Sequence, residues 1–431
     1  MVKKRTTSES TRRRNRVDSS TRPTQSTNSS PSRAHNRQLT IIITIIFFIV
    51  SSAISILVYR HSRPSSTSSP HLHHNNNLFK TDVDYQEIIN ENSRVSENVT
   101  QRHFGNSVLA YITPWNSAGY DLAKKFSSKF THLSPVWYDL KSQGTKLRLE
   151  GRHNADAGWL SEIRRSGNTK VLPRVVLEVL PKDLFGKKKQ RDKAIDVIVT
   201  ECKDMDYDGV VLESWSRWAA YGILHDASIR KMALEFVNQL GDALHKVRSQ
   251  RNGQQLQLVF VIGPRQSENL QAHDFGPEDL RALSDSVDGF SLMTYDFSSS
   301  YRPGPNAPLL WVRSTIEFLL SSSSNNLASK VLVGINFYGN DFDLTEGGGG
   351  AQAITGRDYL SLLDRYKPKI EWQDEIAEHF FLYSDDQNRQ HAVFYPTPMS
   401  ISKRLEEAHS WGTGISIWEI GQGLDFFFDL L

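Results

Sequence analysis

Two hydrophobic rhythms alternate along most of this chain. Short β-branched and aromatic runs occupy 107–115 (SVLAYITPW), 131–138 (THLSPVWY), 170–179 (KVLPRVVLEV), 208–214 (DGVVLES), 257–264 (QLVFVIGP), 289–296 (GFSLMTYD), 330–338 (KVLVGINFY) and 414–420 (GISIWEI). Runs that are apolar at both odd and even positions predict strands covered on both faces, as in a parallel sheet. Between them, 155–166, 190–205, 228–249, 277–287, 309–322 and 398–410 carry the 3.6-residue period of amphipathic helices. In the longest, Ile229 to Val247, one stripe collects Met232, Leu234, Phe236, Val237, Leu240 and Leu244. Pro277 and Pro398 sit at helix starts, where proline's missing N–H is not needed.

Eight such units predict an α/β fold, the (β/α)8 TIM barrel. A doubly wound sheet is the alternative, but no Gly-x-Gly-x-x-Gly follows the first strand. The seventh unit is overlong. Residues 356–366 read as helix and 369–396 as paired strands, so a small α+β insertion at about 356–396 is expected on the C-terminal face. The glycines at 347–350 read as a flexible loop.

A different pattern precedes the barrel. Leu39 to Tyr59 (LTIIITIIFFIVSSAISILVY) holds no charge over twenty-one residues, enough at about 1.5 Å each to span the ~30 Å hydrocarbon core of a bilayer. Polar flanks leave it no protein core to enter, and no Ala-x-Ala cleavage site follows. It is therefore read as a transmembrane signal anchor rather than a cleaved leader. Residues 1–38 form a Ser/Thr/Arg-rich tail, read as disordered, with ten basic and two acidic side chains; only Arg60 and Arg63 follow just after the span. The positive-inside rule then leaves the N-terminus cytosolic and sends the C-terminal domain, 106–431, into the lumen of the secretory pathway or outside the cell. Residues 60–105 read as a linker. His71, His73 and His74 lack a nearby thiol or carboxylate, so no metal is expected there. Asn98-Val99-Thr100 is an N-glycosylation acceptor on the lumenal side, whereas Asn28-Ser29-Ser30 would stay in the cytosol.

Charge sharpens the picture. The chain carries 51 Lys+Arg against 48 Asp+Glu, net +3, yet the tail alone holds +8 and the remaining 393 residues −5. A mildly acidic folded part argues against nucleic acid as a partner. The single cysteine, Cys202, excludes an intramolecular disulfide and a cysteine-rich zinc site. No cofactor is called for.

Barrel chemistry sits at the C-terminal ends of the strands. Trp115, Trp137, Glu178, Glu213, Trp215, Tyr295, Asp296 and Trp418 all fall there or just beyond. Aromatic faces stack on pyranose rings while polar groups take the hydroxyls, so this rim suits an oligosaccharide. Each aromatic reads equally well as packing, and Glu213 as half of an ion pair with Arg174.

Three stretches, YDGVVLES, MTYDF and AVFYPTPMSISKRLEEAHSWGTGISIWEIG, resemble in order the strand-four, strand-six and closing motifs of glycoside hydrolase family 18, the chitinase family. The resemblance covers about 105–431. It implies substrate-assisted cleavage, in which the last Glu of Asp-Gly-x-Asp-x-Asp-x-Glu protonates the glycosidic oxygen and the Asp before it orients the N-acetyl group. Residues two apart share a face, so those carboxylates would line the interior about 6–7 Å apart. Here Asp208 and Gly209 match, Val211 replaces the first inner Asp, Glu213 replaces the orienting Asp, and Trp215 stands at the acid's place. An indole N–H cannot deliver a proton at neutral pH. RVVLEVLP also replaces the family's Ser-x-Gly-Gly on strand three. The resemblance thus implies a membrane-anchored protein that binds chitin- or N-acetylglucosamine-type glycans with little or no hydrolysis. Trp418 would be the stacking floor, joined by Tyr295, Asp296, Glu213, Trp215, Trp137 and Trp115. Two alternatives remain: an active glycosidase with a relocated acid (Glu213, Glu178 or Asp296), and a secretory-pathway adaptor that binds a protein.

Overall fold

A computed structural model describes residues 78–94, 98–143, 146–265, 271–321, 325–345 and 350–431. Eight parallel strands form a closed barrel: β1 (Val108–Ile112), β2 (His132–Gln143), β3 (Arg174–Leu177), β4 (Gly209–Glu213), β5 (Gln257–Ile262), β6 (Gly289–Leu292), β7 (Val331–Asn336) and β8 (Gly414–Trp418). Each pairs with the next, and β8 returns to β1. Successive side chains on a strand point to opposite sides. Leu109, Tyr111, Leu172, Val211, Val259, Val261 and Leu332 therefore meet inside the barrel. Val108, Ala110, Ile112, Leu212, Leu258 and Phe260 face the surrounding helices. This double burial is why the strands read as unbroken apolar runs.

Local chemistry sets the strand details. Pro173 has no N–H to donate, and it separates the short piece Lys170–Val171 from β3. At the foot of β4, Gly209 holds φ +144°, and a Cβ there would lie 2.0 Å from the carbonyl oxygen of Gln257. Beside it, Asp208 accepts from the Val171 N–H at 2.9 Å and pairs with Arg251. The opening Asp-Gly of the strand-four motif is thus structural in this chain. In the helix Ala227–His245, Asp226 caps the N-terminus through the N–H groups of Ser228 and Ile229. Phe236, Val237, Leu240 and Leu244 of the expected stripe are buried, whereas Met232 and Leu234 are only partly so.

The insertion is larger than expected. It is a five-stranded antiparallel sheet ordered 351–354, 339–343, 390–394, 378–384, 371–373, with the helix Gly356–Tyr366 beside it. Its first two strands lie ahead of the expected start at 356. Phe380 stacks on Phe394 at 5.4 Å, and Tyr359 on Tyr395 at 4.3 Å.

Residues 78–94 and 98–105, read as part of a linker, instead join the folded body. Leu78, Val83 and Ile88 are buried. The helix Tyr85–Asn92, closed by an Asp84/Glu87 capping box, packs against Gly356–Tyr366. His379 reaches the Thr81 carbonyl through Nε2 at 3.2 Å. At the other end of the chain, the carbonyl of Leu431 accepts from the His103 N–H at 2.8 Å and from the buried Lys129 at 3.3 Å. Leu39–Tyr59, Asn28 and His71, His73 and His74 lie outside the described residues. Among the described residues no helix is long and apolar enough to cross a membrane, and no group of three or more His, Cys, Asp or Glu side chains could hold a metal.

Candidate active site

The mouth of the barrel is built from inward positions near the strand ends. Arg174 opens β3 and Glu213 closes β4; Arg174 Nε donates to Glu213 Oε2 at 2.6 Å, and a second guanidinium nitrogen reaches the same oxygen. The Arg174 guanidinium also lies over Trp418, 5.4 Å from its ring centroid. Tyr111 leans on that indole from 5.2 Å at 53°. Beneath, the Tyr111 hydroxyl donates to Ser291 at 2.8 Å, and Ser291 donates to Ser416 at 3.1 Å. Burial pushes the Tyr111 hydroxyl well above the ordinary phenol range. Tyr295 is shifted the same way, chiefly by desolvation and then by neighbouring Tyr111, Glu213 and Asp296.

Asp296 follows in a left-handed backbone conformation, φ +59°, which Asp tolerates better than most residues. It faces the cleft, yet the protein around its carboxyl raises its pKa by desolvation, opposed by a hydrogen bond from the Tyr338 hydroxyl. A chain of contacts fixes it from behind. The Asp296 N–H donates to Asn306 Oδ1 at 2.7 Å. The N–H groups of Asn306 and Ala307 donate to Glu378 at 3.0 and 2.7 Å, and buried Arg404 donates to the same carboxylate at 2.9 Å. The insertion therefore holds the loop that carries Asp296.

The other predicted residues divide. Trp215 starts the helix Trp215–Ala220 and is buried, packed edge-on against Trp218, Phe260 and Phe275. Its N–H is spent on the His273 carbonyl at 3.0 Å. Glu178 is paired with Arg217. Trp115 stands 70% exposed beyond β1. Trp137 needs correction as a site residue. The register of β2 slips between Val136 and Tyr138, and Trp137 lies against Trp159 and Tyr207 with its N–H on the Tyr120 hydroxyl at 2.7 Å. Its ring packs among helix-facing residues and not in the mouth. Asn98 is half-buried, with its side-chain nitrogen 2.9 Å from His103 Nε2.

A cleft of about 560 Å³ opens over β4, β5 and β6, with Trp215, Met293, Tyr295 and Asp296 in its wall. Arg265, His273, Asp274, Arg302 and Trp311 also line it. Sequence reasoning passed over these five: Arg265, His273, Asp274 and Arg302 follow strands five and six, and Trp311 lies in the helix Leu309–Leu320. It also passed over Glu419, a buried carboxylate held by Asn116 and the Gly421 N–H, each at 2.8 Å, with a pKa raised by desolvation.

A family profile described as Glycosyl hydrolases family 18 matches residues 107–423. The chain belongs to glycosyl hydrolases family 18. Among curated relatives, the cortical fragment-lytic enzyme of Bacillus subtilis (strain 168) is 30% identical over 192 residues, 43% of this chain and 42% of that protein. The putative sporulation-specific glycosylase YdhD of the same organism is 28% identical over 203 residues, 46% of this chain and 45% of its own length. The chain thus spans less than half of either relative. Among solved structures, the spore cortex-lytic enzyme SleL of Bacillus megaterium QM B1551 superposes with a TM-score of 0.59 at 20% identity, over 77% of this chain and 74% of that one. A mutant family-18 chitinase from Cycas revoluta in complex with (GlcNAc)4 gives 0.61 at 15% identity, over 75% and 97%. At these identities the likeness establishes the shared barrel fold.

Proposed function

We propose that this family-18 chain is a membrane-anchored, chitinase-like protein that binds chitin- or N-acetylglucosamine-type oligosaccharides and hydrolyses them little or not at all. Within the family we propose that it falls in the divergent chitinase domain-containing branch, the reading suggested by YDGVVLES and its missing acid. Trp215 carries this reading. At the place where the family motif puts its proton donor, this chain has a buried indole whose one polar hydrogen is already engaged with His273. The two glutamates that could replace the donor, Glu213 and Glu178, are each tied to an arginine. The aromatic and polar lining of the cleft, and the (GlcNAc)4 bound by the Cycas chitinase, favour an oligosaccharide as ligand. The barrel would lie in the lumen of the secretory pathway or outside the cell, tethered through Leu39–Tyr59.

Calorimetric titration of the full-length chain with chitin oligosaccharides, followed by chromatography of the mixture, tests the reading. Saturable binding without sugar release is expected. Sustained release that is lost in Asp296→Asn would overturn it in favour of an active glycosidase. Asp296 is the carboxyl that keeps this second reading alive, since it faces the cleft and desolvation shifts its pKa upward. No retention on chitin-oligomer beads would favour the protein-binding adaptor.

A further inference from the structure

A sugar ring stacks on tryptophan only where one face of the indole is open. In the mouth of this barrel, the face of Trp418 toward β3 is taken by the Arg174 guanidinium, 5.4 Å from the ring centroid, and Tyr111 crowds the ring as well. Arg174 is also held by Glu213, and the two side chains are only 13% and 17% exposed. A guanidinium fixed between a carboxylate and an aromatic face has little freedom to swing aside. The wall of the open cleft includes Met293, Tyr295 and Asp296 but neither Arg174 nor Trp418.

Resting on the glycan-binding reading above, we propose that Arg174 is a specificity-determining plug. Glu213 clamps its guanidinium over Trp418, so a sugar ring is refused at the barrel centre and the oligosaccharide is read in the cleft over β4, β5 and β6. The ligand class is narrowed accordingly. The site takes a short stretch of glycan lying to one side of the mouth, not a chain laid across the whole of it. An ion pair this buried is a poor choice for stability alone, because apolar side chains of similar volume commonly serve as well.

Removing Arg174 alone would strand Glu213 without its partner, so the test uses Arg174→Ala with Glu213→Gln in the full-length chain, each with and without Trp418→Ala. Should the alanine pair unfold, Arg174→Gln with Glu213→Gln takes its place. The first readout needs no sugar. Acrylamide should quench more of the tryptophan emission in the unplugged protein than in the unmodified one, and Trp418→Ala should abolish the difference. The second is calorimetry with (GlcNAc)4. The unplugged protein should bind at least about fivefold more tightly, and Trp418→Ala should cost it that gain while changing the plugged protein less than about twofold. Equal quenching in plugged and unplugged proteins overturns the plug whatever the sugar does. So does a loss of affinity on Trp418→Ala that is as large with Arg174 present as without it, and in that case glycan binding stands. No (GlcNAc)4 binding by either protein removes the glycan reading itself, and the plug with it.

Discussion

Asp296 shows how one residue can be exposed to a cleft and still feel the protein interior. Desolvation raises its pKa above the ordinary carboxylate value, while the Tyr338 hydroxyl partly opposes the shift. The sign of the stability effect follows. Below the ordinary value both folded and unfolded chains are protonated and nothing is lost. As pH rises from there through the raised folded value, the unfolded chain ionises first, and folding becomes less favourable. Asp296→Asn keeps an acceptor for Tyr338 and removes the charge. Its stability relative to the unmodified protein should therefore increase between pH 4 and pH 7, as read from urea midpoints at the two values. A difference that shrinks with rising pH would show that the carboxylate is stabilised by its surroundings.

At the scale of elements, the insertion is joined to the barrel through Arg404, which lies on the helix Pro398–Trp411. Its guanidinium donates to the carbonyls of Ala307, Ala377 and Ser400 and to Glu378. Removing one partner from a buried charge pair leaves the other uncompensated. Arg404→Ala should destabilise the protein by about 3–5 kcal/mol, seen as a lower urea midpoint with an unchanged slope. A cost below about 1 kcal/mol would mean that the carbonyls and Glu378 find water instead. The barrel strands were legible because double burial writes them as apolar runs. The strands Gly339–Asp343 and Ala351–Ile354 were not, since GNDFD and AQAI are short and half polar. Helix Tyr85–Asn92 hid for a related reason: Leu78, Val83 and Ile88 are too sparse to form a stripe, and it takes packing of the helix on Gly356–Tyr366 and Asp425–Leu430 to bring this segment into the core. At the barrel mouth, strand-end position accounts for where Glu213, Asp296 and Trp418 lie. The β2 register slip that removes Trp137 from the mouth, and the meeting of Arg174 with Trp418 across the barrel, are tertiary events that no local pattern encodes.

For the molecule as a whole, the proposed anchor predicts which side of a membrane the barrel would occupy. With ten basic side chains ahead of Leu39–Tyr59, translation into microsomes should add a glycan at Asn98 and none at Asn28. Endoglycosidase digestion of the unmodified chain and of Asn98→Gln reads this directly, and a glycan on Asn28 would reverse the proposed topology. Folding should not block the modification at Asn98, provided the sugar arrives before the side chain settles against His103. The contact between the Leu431 carbonyl and the His103 N–H has a mechanical side. Tension between an N-terminal tether and a cargo fused after Leu431 would enter the fold at buried Leu78 on one side and at Leu431 on the other. The packing of Leu78 and helix Tyr85–Asn92 at one end, and the His103 contact with the final turn Asp425–Leu430 at the other, would bear the load first. The seam between β1 and β8 would carry none until they had peeled away, so these two end segments would act as fuses for the barrel.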